Sequence, residues 1–171
     1  MTPCDTLTPE NVYIGMGSNL DNPLNRIVRA YQTIAAHEQL SLKACSHWYT
    51  SEALGPSGQP DYVNGAVLVQ TKLNPELVLD LLQAIEAEHG RQRSVRWGAR
   101  TLDLDILLYG SKHVLTERLT IPHCQLRVRN FVLQPLMDID KHLLLPDGTA
   151  IATLLTKVGT HGLQKLDMLD K

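Results

Sequence analysis

Residues 62–90 read YVNGAVLVQTKLNPELVLDLLQAIEAEHG. From Tyr62 to Leu73 the run is apolar and β-branched, the composition of a strand. Asn74-Pro75 then starts a helix, with an asparagine cap followed by a proline at the first helical position. Leu77, Val78, Leu81, Leu82 and Ile85 continue at helical spacing, and His89-Gly90 closes the helix with a glycine suited to a left-handed C-terminal position. The same strand–cap–helix unit stands upstream. Val12, Ile14 and Met16 alternate with Tyr13 and Gly15, Asp21-Asn22-Pro23 supplies the cap, and Leu24, Ile27, Val28, Tyr31, Ile34 and Ala35 line one apolar face as far as His37. Lys43 to Ser51 alternates as one strand between the two units, and Thr101 to Tyr109 predicts a strand after the second. The order βαββαβ predicts an α+β, ferredoxin-like core with two helices on one face of an antiparallel sheet.

Additional C-terminal elements are expected: a short strand at Lys112–Leu115, a helix over Asn130–Ile139 and a turn at Pro146-Asp147-Gly148. A chain of 171 residues suits one domain, expected over residues 11–158, with residues 1–10 and 159–171 as loosely held tails. An apolar content of 43% with 20% charged residues excludes wholesale disorder. A net charge of −2 argues against a nonspecific nucleic-acid coat, and no apolar run reaches a membrane span. Met1 to Asn11 lacks the basic flank and apolar centre of a signal peptide, and the three cysteines are widely spaced without a CxxC pair. These features predict a cytoplasmic protein with no membrane or nucleic-acid partner; a monomer is expected.

Seven of the nine arginines lie between Arg91 and Arg129, whereas the lysines are scattered. The planar donor fork of arginine matches phosphate, so this concentration reads either as an anion site or as a solvated arginine-rich loop. Asp103 and Asp105 stand two apart on the last predicted strand and therefore share a sheet face, opposite Leu102, Leu104 and Ile106. Such a pair suits Mg²⁺, which takes one or two carboxylates and fills its octahedron with water and substrate phosphates; a salt bridge to Arg100 or another nearby arginine is the structural alternative. No GxxxxGK[ST] loop is present, and Gly15-Met16-Gly17-Ser18-Asn19-Leu20 lacks the third glycine of a dinucleotide fingerprint. Those small residues serve either a tight turn after the first strand or close approach of a ligand to the backbone. No histidine pair has zinc-ligand spacing.

Arg96-Trp97-Gly98-Ala99-Arg100-Thr101-Leu102-Asp103-Leu104-Asp105-Ile106-Leu107 resembles the signature of the 6-hydroxymethyl-7,8-dihydropterin pyrophosphokinase family of folate biosynthesis. Gly17-Ser18-Asn19, Leu54-Gly55-Pro56, Gln59-Pro60-Asp61-Tyr62-Val63-Asn64 and Arg118-Leu119-Thr120-Ile121-Pro122-His123 fall in the family's order, so the resemblance runs from Tyr13 to Gly148. It implies transfer of pyrophosphate from ATP to the pterin hydroxymethyl group with release of AMP. It further implies that Asp103 and Asp105 hold two Mg²⁺ ions bound with ATP, and that Arg91 and Arg100 are catalytic. Gln83, Glu86, Arg93, Arg96, Trp97, Ile106, Arg118, Leu119, Thr120 and His123 match ATP-binding positions. Tyr62 and Phe131 match the rings that sandwich the pterin, Asn64 its polar-edge contact, and Gly17, Ser51 and Leu54 further pterin-side positions. Ser51 and Ala53 stand where the family commonly has Thr and Pro.

Two other classes share parts of this pattern. A metal-dependent nucleotidyl transferase could use paired aspartates on a ferredoxin-like sheet, but would release pyrophosphate instead of AMP. An RNA-recognition domain would display aromatic residues on its central strands, and this chain has no such aromatic run.

Overall fold

The computed structural model describes residues 8–53, 58–90 and 101–167. A six-stranded antiparallel sheet runs β5 (Asp103–Tyr109), β1 (Glu10–Ser18), β4 (Tyr62–Thr71), β3 (Tyr49–Ser51), β8 (Leu163–Lys165), and β2 (Ser41–Cys45) also pairs with β4. Helices α1 (Pro23–Ala36) and α2 (Pro75–Glu88) follow β1 and β4, so the βαββαβ core is present as expected. Both predicted caps form. Asn22 accepts from the amide of Asn25, Asn74 accepts from that of Leu77, and proline opens each helix.

One face of the sheet carries the main core. Val12, Ile14 and Met16 of β1 and Leu104 and Ile106 of β5 pack with Ile27, Ala30 and Ile34 of α1 and Val78, Leu82 and Ile85 of α2. The opposite face is covered over part of its length by α3 (Asn130–Ile139) and α4 (Ile151–Val158), through Leu133, Leu136, Ile151 and Leu154 on Tyr13, Ala66, Leu107 and Leu108. The uncovered part of that face is the cleft described below. A two-stranded ribbon, β6 (Val114–Leu115) with β7 (Thr120–Ile121), lies beyond β5. Among the described residues no helix is long and apolar enough to cross a membrane.

Two expectations are corrected, and one stretch that carried none is assigned. The single strand over 43–51 is two strands, because the chain bends at Ser46 to place Trp48 in the core. There the Ser46 hydroxyl oxygen accepts the Ala66 amide at 2.9 Å, taking the place of a main-chain acceptor. The Trp48 ring occupies the space where Gly65 has no side chain, since a Cβ built there would stand 2.3 Å from it. Residues 163–165, expected in a loose tail, form β8 against β3. Residues 151–158, unassigned in the sequence, form α4 because Ile151, Leu154 and Leu155 find the second core at helical spacing.

Candidate active site

A cleft of about 880 Å³, counting its open mouth, lies on the α3 side of the sheet. Its floor is β1. Gly17 pairs across the ladder with Asn64 of β4 on one side and with Asp103 of β5 on the other, and Gly15 pairs likewise with Ala66 and Asp105. Both glycines lie in extended strand, so no turn is made at either; Leu107 packs against Gly15, where an added Cβ would stand 3.2 Å from it, and Gly17 lies at the cleft floor beside Asn64 and Tyr62.

The acidic end is formed by Asp103 and Asp105, which share one face of β5 and are half-buried. As an edge strand, β5 needs partners for its outward main-chain groups. Glu86, only 4% exposed, accepts the Leu104 amide at 2.7 Å, and the His123 amide donates to the Leu107 carbonyl at 3.0 Å. The strand segment between and beside the two aspartates is thus held from outside. His123 Nδ1 accepts the Gln125 amide at 3.2 Å, which leaves Nε2 as the protonated nitrogen of the neutral ring, 3.9 Å from Asp105. Burial first, and the Arg129 guanidinium second, hold His123 below its ordinary pKa, against the opposing pull of Asp103. The neutral ring is therefore its form at pH 7.

The other end is aromatic and amide-lined. Tyr62, Phe131, Ser51 and Asn64 face the same cleft. The Asn64 amide nitrogen donates to Ser51 Oγ at 2.9 Å, and Asn64 Oδ1 lies over Gly17, where an added Cβ would stand 3.4 Å from it. Asn64 is thereby oriented with its acceptor toward the floor, reachable because residue 17 has no side chain.

The cleft thus unites Gly17, Ser51, Tyr62, Asn64, Asp103, Asp105, His123 and Phe131. Gln83, Glu86, Ile106, Arg118, Leu119 and Thr120 do not line it. Glu86, Ile106 and Leu119 are buried on the α2 side of the sheet, Gln83 is half-buried on α2, and Thr120 is exposed on β7. Arg118 is exposed and paired with Glu76 at 3.3 Å and Asp80 at 2.5 Å, both on α2. Leu54, Arg91, Arg93, Arg96, Trp97 and Arg100 lie outside the described residues. The sequence reading assigned no role to Arg129, which lines the cleft with its guanidinium carbon 5.6 Å from the Phe131 ring centre. Its place in the arginine count was the only signal. Glu52, Gly65, Leu107 and Val132 complete the walls without one.

Among the described residues no group of three or more acidic, histidine or cysteine side chains could hold a metal by itself. Two adjacent carboxylates opening on a cleft could instead hold an ion that completes its shell with substrate oxygens.

The profile of the 7,8-dihydro-6-hydroxymethylpterin-pyrophosphokinase family matches residues 13–141. The chain belongs to this family. As a pyrophosphokinase of folate synthesis it is 45% identical over 155 residues to the 2-amino-4-hydroxy-6-hydroxymethyldihydropteridine pyrophosphokinase of Haemophilus influenzae, covering 91% of this chain and 97% of that protein. The Pseudomonas aeruginosa enzyme of the same name is 44% identical over 157 residues, covering 92% and 97%. Among solved structures, a Plasmodium falciparum HPPK-DHPS triple mutant with pteroate aligns at a TM-score of 0.73 and 12% identity, over 97% of this chain and 48% of that one. That likeness supports the fold, and this pyrophosphokinase spans about half the length of the Plasmodium chain.

Proposed function

We propose that the chain transfers the terminal pyrophosphoryl group of ATP to 6-hydroxymethyl-7,8-dihydropterin, with the pterin held at the Tyr62–Phe131 end of the cleft and the phosphates at the aspartate end. The hydroxymethyl oxygen attacks the β-phosphorus, the bond from that phosphorus to the α-phosphate oxygen breaks, AMP leaves and the hydroxyl proton is released. The observation that carries this reading is the single row Asn64–Gly17–Asp103, which puts an aromatic, amide-lined end and an acidic end side by side on one sheet face.

The residues divide the work by chemistry. Tyr62 and Phe131 offer ring faces to a flat heterocycle, and Asn64 Oδ1 accepts from its polar edge. His123 offers its Nε2 proton toward the phosphates. Asp103 and Asp105 would hold two Mg²⁺ ions, which when bound with ATP neutralise phosphate charge and align the transferring group. Arg91 and Arg100 are assigned to the charge that redistributes in the transition state, and Arg93, Arg96 and Trp97 to nucleotide binding, by their match to the family motif. Arg118 reaches phosphate only by exchanging its exposed partners Glu76 and Asp80, which such surface pairs readily allow.

Incubation with ATP, Mg²⁺ and the pterin, followed by identification of the nucleotide product, tests the reaction. AMP is expected; ADP, or free pyrophosphate with a nucleotidylated product, overturns it. Tyr62→Ala and Phe131→Ala are each expected to weaken pterin binding by about 1–3 kcal/mol, by analogy with base stacking on aromatic side chains. Calorimetry showing equal losses for a non-hydrolysable ATP analogue would mark the rings as core residues instead.

A further inference from the structure

Beside Tyr62 and Asn64 of β4, the heterocycle end of the cleft is built from two separate elements. Ser51 and Glu52 come from the end of β3, whereas Arg129, Phe131 and Val132 come from the first turn of α3. Neither is rigid by its own making. β3 has three residues, and the residue before α3, Arg129, makes no side-chain capping bond. The run 159–166, which lies beyond the family match at 13–141, binds both. Gly159 and Gly162, at φ of 78° and 73°, let the chain reverse out of α4. Within that reversal the His161 carbonyl accepts from the Asn130 side-chain amide at 3.0 Å, immediately beside Arg129 and Phe131. Leu163, Gln164 and Lys165 then pair with Ser51, Thr50 and Tyr49, and the Leu166 amide donates to the Trp48 carbonyl at 2.9 Å. Ser51 is consequently flanked by Tyr62 on one side and Leu163 on the other, and its hydroxyl in turn orients Asn64.

We infer that residues 160–166 are a positioning strap for the pterin half of the site, setting the gap between the Ser51–Asn64 wall and Phe131 through Asn130 and β8. The inference rests on the reading that this half takes the pterin. A segment that merely stabilised the fold would affect both substrates or neither; Leu166 anchors the strap on the main core, and its contacts through His161 and Leu163 lead to the two walls of the pterin half.

The test measures direct binding of 6-hydroxymethyl-7,8-dihydropterin and of a non-hydrolysable ATP analogue to Asn130→Ala, to a chain ending at Gly159, and to Phe131→Ala. Asn130→Ala is expected to raise the pterin Kd about 3–10-fold, the worth of one hydrogen bond, with nucleotide Kd and unfolding midpoint close to the parent. The truncated chain is expected to lose more pterin affinity, again selectively; should it fail to fold, Asn130→Ala alone decides. Unchanged pterin affinity in Asn130→Ala, or equal weakening of both ligands, overturns the strap. If Phe131→Ala also leaves pterin binding unchanged, the assignment of the site has failed; if Phe131→Ala weakens it and Asn130→Ala does not, only the strap has failed.

Discussion

Asp103 and Asp105 are half-buried on a sheet face where their cross-strand neighbours on β1 are glycines, and they belong to neither apolar core. Either aspartate replaced by alanine is therefore expected to abolish turnover nearly completely, with circular dichroism and the unfolding midpoint close to the parent; normal turnover at ordinary Mg²⁺ would remove the metal assignment. A titration prediction belongs to His89, the residue that closes α2. Burial foremost, then Arg29 and Arg26 against an opposing Glu88, lower its pKa from 6.5. The unfolded chain then binds the proton more readily, so stability falls as pH drops below about 6.5. Between pH 7.5 and 5.5 the unfolding midpoint of the parent should fall further than that of His89→Gln. At this scale the aspartate pair was legible because strand periodicity places alternate residues on one face. Arg129 was not, since only the entry angle of α3 brings it to the cleft.

Regular elements were read correctly where a cap and an apolar face agree, as at Asn22-Pro23 and Asn74-Pro75. They were misread where a side chain interrupts a ladder without breaking the alternation. Cys45, His47 and Tyr49 keep their period across the bend at Ser46, and only the Ser46 hydroxyl bond to Ala66 and the seat of Trp48 on Gly65 reveal it. Gly65→Ala forces its methyl into the Trp48 ring and is expected to cost about 1–3 kcal/mol in chemical denaturation, as for an overpacked core. Trp48→Leu introduced with it should recover part of that loss. β5 hides a second irregularity. A register shift against Tyr13 and Ile14 lets Leu107 and Leu108 both join the second core, while Ile106 and Tyr109 join the first. No alternation rule could assign those four residues.

For the whole molecule, the βαββαβ order was legible from the two repeated units, but the second helical layer was not. α4 and β8 are short, and they exist because the rest of the fold offers them a core and an edge. Their partial cover leaves part of the sheet as the floor of the cleft, with Asn64, Gly17 and Asp103 in one row on three neighbouring strands. Hydrogen-bonded strands stand about 4.8 Å apart, so the row spans about 9.6 Å. Loops and helices can shift without altering that interval; only breaking the ladder can. With the pterin placed as proposed, the sheet is a ruler that gauges the length of the acceptor's arm. A pterin bearing a hydroxyethyl group in place of hydroxymethyl should bind at nearly the parent affinity, yet its oxygen would lie about 1 Å or more from the place of attack. Misplacement of that order costs about 10²-fold in rate, and single-turnover kinetics on the two acceptors would read the graduations directly.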